Sequence, residues 1–112
     1  MAKQSPNNKP QVSVVSTVAA TPGFDTRTID NNVCVVTLSR TTTNSVAFIL
    51  ESSADSTNGV NGTWSNLDYA SVTTTATSRS FNVIMNPERP WIRVNVTTNA
   101  SSDVCTFTFY GV

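Results

Sequence analysis

The chain contains no histidine. That removes the side chain most used as a general base near neutral pH and most used to hold a metal. Cysteine is scarce as well, with Cys34 and Cys105 the whole supply. Neither has a second cysteine or a histidine close in sequence, so no metal-ligand spacing exists. Both sit in apolar strand-like segments, a setting that raises a thiol's pKa and leaves it inert. An immunoglobulin-type bridge between them is disfavoured, because Asp103 stands where a tyrosine corner belongs and no tryptophan follows Cys34 at a suitable distance. Two buried free thiols are expected.

Charge is sparse too. Charged residues fill 12% of the 112 positions, about half the usual share, and seven Lys and Arg balance seven Asp and Glu. The cations, Lys3, Lys9, Arg27, Arg40, Arg79, Arg89 and Arg93, are dispersed. Nucleic-acid affinity rests largely on neutralising phosphates, so a neutral chain without a basic cluster is not expected to bind nucleic acid. Long hydrophobic runs are missing: Val46 to Leu50 is the longest, far short of a membrane span, and no membrane association is expected. The first ten residues have no apolar stretch of the secretory kind. Three N-glycosylation patterns, at Asn61, Asn95 and Asn99, are what a chain so rich in Asn, Ser and Thr contains by chance.

Catalytic signatures are also absent. There is no Gly-rich phosphate loop and no nucleophile elbow. Asp55 and Asp68 are the acids able to meet across a hairpin over 53–69, with Glu51 nearby. A glycosidase needs two carboxyls at a set distance around a cleft, and a domain this small rarely holds a deep one. Asp55 is better read as an Asx-turn residue and Asp68 as part of a solvated hairpin. The run Asp55-Ser56-Thr57-Asn58-Gly59 has a slight likeness to a calcium loop. Its glycine comes one position early and the distal Glu is missing, so a turn is expected. The expectation is a non-enzyme with no catalytic residues, no metal and no cofactor.

What is present is hydroxyl and β-branched side chain: 14 Ser, 18 Thr and 12 Asn, with many Val and nine aromatics. Disordered chains are poor in aromatics and β-branched residues, whereas Thr and Val are stiff at χ1 and suit a pleated surface. Residues 1–10 are polar, with Pro6 and Pro10, and read as an extended arm; residues 11–112 read as one domain. Strands are expected over 11–18, 33–38, 45–52, 63–69, 81–86, 91–96 and 104–110, with 71–78 either strand or loop. Turns fall at Thr21-Pro22-Gly23, 40–44, 53–62, Asn86-Pro87-Glu88-Arg89-Pro90 and 97–103. The period of two puts Val46, Phe48 and Leu50 on one face, Ile92, Val94 and Val96 inward, and Cys105, Phe107 and Phe109 together. About seven short strands make an all-β fold, a single antiparallel sandwich of jelly-roll or immunoglobulin-like type.

Binding candidates follow from the same pattern. Trp91 and Arg93 lie on the face opposite Ile92 and Val94, so both are expected outward, and exposed Trp and Arg are common interface anchors. Trp64, Tyr69 and Tyr110 join them, and Val12 and Val14 are candidate contacts near the arm. The other reading of Trp64 and Trp91 is that they cap the sandwich core.

The segment Leu50-Glu51-Ser52-Ser53-Ala54-Asp55-Ser56-Thr57-Asn58-Gly59, followed by Gly62-Thr63-Trp64-Ser65-Asn66-Leu67, resembles a strand, turn and Trp strand of small β-sandwich proteins on tailed bacteriophages. The stretch Arg89-Pro90-Trp91-Ile92-Arg93-Val94-Asn95-Val96-Thr97 resembles their penultimate strand, and Cys105-Thr106-Phe107-Thr108-Phe109 their closing one. The hairpin also resembles an Asp-box, with extra residues between Asp55 and Trp64 that depart from its spacing. The resemblance covers roughly residues 45 to 112. It implies a virion accessory protein assembled in the host cytoplasm: a head decoration or cement protein, or a head-fibre or tail component. Its partners are then the major capsid protein and further copies of itself, as a homotrimer, through residues 1–18. The alternative is a carbohydrate-binding module that uses Trp64, Tyr69 or Trp91 as a stacking platform.

Overall fold

A computed structural model describes residues 10–29 and 33–111, with the side chains of Thr28, Asp68, Tyr69 and Ala70 left out. The expected arm over 1–10 therefore lies outside the described residues, apart from Pro10. The elements are β1 (Gln11–Val15), β2 (Phe24–Asp25), a 3-10 turn (Thr26–Thr28), β3 (Val33–Ser39), β4 (Val46–Ser53), β5 (Ser65–Thr74), β6 (Ser78–Ile84), β7 (Trp91–Thr98) and β8 (Cys105–Gly111). The expected all-β sandwich is present. Among the described residues there are eight strands, not seven, because the two-residue β2 is too short to leave a periodic signal.

Sheet A has the order β1-β8-β3-β6 and sheet B the order β2-β7-β4-β5, and every strand pair is antiparallel. The first strand pairs with the last, the second with the seventh, the third with the sixth and the fourth with the fifth. That is one long hairpin rolled up, and the rolling brings β3 against β8 and β4 against β7. This connectivity is a jelly roll, not an immunoglobulin-like sandwich.

The inward faces are the ones the period of two selects. Phe48 on sheet B meets Phe107 on sheet A edge to face at 5.3 Å and Phe81 at 5.7 Å, and Phe24 stacks on Phe109 at 6.0 Å. Val36, Leu38, Val46, Val94 and Val96 fill the space between them. Cys34 and Cys105 are free and buried. Both belong to sheet A, and Cys34 lies opposite Gly111, six residues along β8 from Cys105. At ~3.3 Å per residue that is roughly 20 Å, beyond the ~7 Å Cα reach of a disulfide. Burial is the main cause that pushes the Cys34 thiol up to about 12, opposed by a backbone hydrogen bond at Tyr110.

Arg40, expected in a polar turn, is instead a buried tie at one end of the sandwich. Its guanidinium donates to the carbonyls of Ala76 (2.8 Å), Thr74 (3.2 Å) and Asn44, and to Asp103 Oδ2 at 3.0 Å. Asn44 Nδ2 donates to the other oxygen of Asp103 at 3.1 Å. The loops after β3, β5 and β7 are thus joined by one side chain whose exposure is 0%.

Candidate functional site

Two surfaces hold the candidate residues, and the sheet registers define both. On the outside of sheet A, one row across the strands reads Val14, Thr106, Ser39, Ser78. The next reads Val12, Thr108, Thr37, Ser80. Beyond them come Tyr110, Val35 and Asn82, then Val33 and Ile84. None of these residues carries a charge. The alternation arises because the neighbours of each, such as Val15, Phe107 and Leu38, are taken into the core. Val12 and Val14 are 61% and 62% exposed at one margin of this face, and Ile84 is 73% exposed at the other. The sequence singled out the two valines. The rest of the face was hidden from it, because which threonines stand side by side depends on strand order.

The second surface is the outside of sheet B, where Trp91 and Arg93 point as expected, but the loop over 54–64 folds down on them. Ser53 and Asp55 start that loop. Asp55 Oδ1 accepts from the Thr63 amide at 2.7 Å and from Ser53 Oγ at 3.0 Å. These bonds, the Thr63 amide first, hold the Asp55 carboxyl below its ordinary range. Asn58 Oδ1 accepts the amides of Val60 and Asn61, and Asn61 Oδ1 accepts the Thr57 amide at 2.8 Å. The expected turn is therefore what this segment forms. Gly59 sits at the loop's underside with φ +82°, and its carbonyl accepts from the Gly23 amide at 2.7 Å. A Cβ at Gly59 would lie 2.9 Å from the Gly23 carbonyl oxygen and 3.2 Å from the Trp91 ring.

Of the two readings of Trp64 and Trp91, exposed anchors or residues capping the core, neither describes the arrangement: both lie on the outside of sheet B and are covered there by the chain itself. Trp91 is only 9% exposed, beneath Gly59, with the Arg27 guanidinium 5.7 Å from its ring centroid. Arg27 in turn is held on Asp25 by two contacts of 2.9 Å. Trp64 is half-buried and donates from Nε1 to the Asn61 carbonyl at 3.1 Å. Its ring is covered by Arg93 at 4.3 Å, and Arg93 donates to Glu51 Oε1 at 2.8 Å. These guanidinium–ring stacks are cation–π contacts within the chain itself. Among the described residues the buried Trp91 indole N–H has no hydrogen-bond partner, which costs stability and marks a group closed off from solvent.

Tyr69 lies in an irregular part of β5, where residues 67–70 stand against Leu50 alone, and its side chain is outside the described residues. The same holds for Asp68, so the pairing of Asp55 with Asp68 falls outside them too. Glu51, third of the acids considered, is taken up by Arg93. Among the described residues no group of three or more Cys, Asp or Glu is placed to hold a metal ion. Comparison with known protein families, curated proteins and solved structures finds no match to this chain.

Proposed function

We propose that the chain is a structural protein of a virus particle, of the capsid-decoration or cement kind, which stabilises a phage head through protein–protein contacts and catalyses nothing. The observation that carries this reading is the outer face of sheet A, an uncharged array of hydroxyls with exposed valines along its margin. Depletion of charge with retained apolar side chains is what distinguishes the centre of a protein interface from ordinary surface. A face of this kind docks on another protein without desolvating charge. The jelly roll adds a weaker argument by analogy, since viral capsid domains use that architecture and a fold alone does not fix a function.

The carbohydrate-binding alternative gains nothing from Trp64 and Trp91, and the Tyr69 side chain lies outside the described residues. Trp91 is covered, and Arg93 occupies a face of Trp64. The test is co-sedimentation of the full chain with shells assembled from the major capsid protein of the same genome, alongside tryptophan fluorescence titrated with sugars. Pelleting with shells and unchanged fluorescence are the expected results. A chain that stays in the supernatant while sugars quench its fluorescence contradicts the proposal.

A further inference from the structure

Two sheets of four strands have four edges, and this fold treats them unequally. In sheet B, β2 is two residues long and β5 is broken by the irregularity over 67–70. In sheet A, β6 carries Arg79, whose guanidinium lies 5.1 Å from the Phe81 ring. Short edges, irregular edges and charged edges are the devices by which sheets avoid pairing with strange strands. The fourth edge, β1, has none of them. Its five residues, Gln11-Val12-Ser13-Val14-Val15, are uncharged, unbroken by proline, in even register with β8, and mostly β-branched. Gln11 Nε2 donates to the carbonyls of Pro22 (3.1 Å) and Gly23 (3.2 Å), which ties the start of the strand to the chain before β2, and among the described residues no strand lies on its outer side.

We propose that β1 pairs antiparallel with β1 of a second copy of this chain, about a two-fold axis through Ser13. The sequence of β1 is what selects a copy of itself as occupant. In that register Val12 lies opposite Val14 of the second copy, and Val14 opposite its Val12. Four valines, each over 60% exposed in the single chain, then form one apolar cluster on the outer face. Directly opposed β-branched pairs stabilise an antiparallel ladder. No charge in either strand opposes the approach, and a two-fold contact closes without leaving a further open edge. The four strands of sheet A from each copy join into one sheet, and the uncharged face proposed above for shell binding doubles in extent. The biological use of the pair rests on that reading; the pairing itself does not. It replaces the homotrimer expected from the family resemblance with a dimer.

The experiment is sedimentation equilibrium on the full chain. The expected mass is about 24 kDa, twice that of the 12.0 kDa chain. Val12→Lys with Val14→Lys sets like charges opposite each other twice, and self-association falls at least about tenfold with the fold retained by circular dichroism. Mixing that variant with Val12→Glu/Val14→Glu restores the dimer as a mixed species. Ile84→Lys, on the other margin of the same face, leaves the dimer intact. A monomeric or trimeric native chain, or a dimer that the lysine pair does not weaken, overturns the proposal. A monomer that still pellets with shells rejects the pairing and spares the shell reading; a dimer that ignores shells does the reverse.

Discussion

At the scale of single residues, the fold depends most on a charge that the sequence presents as a loop residue. The Arg40 guanidinium is fully buried, and its partners come from three separate loops. Arg40→Met removes those bonds and leaves buried carbonyls and a carboxylate behind, which is expected to cost about 3–5 kcal/mol in urea unfolding. The Asp103 carboxyl is held below its ordinary value, first by the Thr42 hydroxyl, then by Asn44, with Arg40 adding its charge. Asp55 is lowered by its own loop. A lowered folded-state pKa stabilises above the unfolded value, near 3.9, and that stabilisation fades as pH falls through the folded value. With no histidine to titrate, stability is expected to stay level from about pH 5 to 7 and to drop below pH 4. The buried Cys34 thiol sets the other limit: folding is favoured below the ordinary thiol value and weakens as pH rises from there toward about 12. Urea midpoints measured from pH 2 to 11 check both limbs, and a steep change between pH 5 and 7 contradicts this account. None of the Arg40 network was legible in the sequence, because its partners lie 4 to 63 positions away.

At the scale of elements, much was legible. Alternation alone placed Phe48, Val94, Val96, Phe107 and Phe109 inward, and the turn at 86–90 forms as its prolines and Asn86 require, with the Arg89 amide bonded to the Asn86 carbonyl at 2.9 Å. What periodicity could not supply was the partner of each element. The outward parity of Trp91 was read correctly, yet its burial comes from a loop more than 30 positions earlier, closed by a glycine contact no local pattern reports. Two predictions belong here. Gly59→Ala forces a Cβ at positive φ against Gly23 and Trp91, so it is expected to lower stability by about 1–3 kcal/mol and to alter the near-ultraviolet signal of Trp91. Phe48→Ala opens a cavity between the two sheets, where Phe81 and Phe107 lose their common neighbour, at about 3–5 kcal/mol. Chemical unfolding of each variant checks the figures, and either change leaving the midpoint unmoved would show that the loop or the core is not packed as described.

At the scale of the whole molecule, the fold separates its two exteriors. On sheet B's outside the described charges are taken up within the chain, Arg27 and Arg93 lying on the Trp91 and Trp64 rings, Glu51 paired with Arg93 and Asp55 bonded to backbone, while the Trp91 indole N–H stays buried. The described residues of sheet A's outside are neutral, part-exposed at Thr37, Thr106 and Thr108 and buried at Val35, with an undefended edge beside them. The sequence carried the ingredients of that face, the abundant Ser, Thr and Val, but not their arrangement, since four strands from distant parts of the chain build it. This face is the proposed binding surface. The most direct measurement compares Thr37→Lys, in the middle of sheet A's outer face, with Thr97→Lys, on the outside of sheet B, by co-sedimentation with capsid shells. The first is expected to abolish pelleting with the fold retained and the second to pellet like the native chain; the opposite pattern would place the working surface on sheet B.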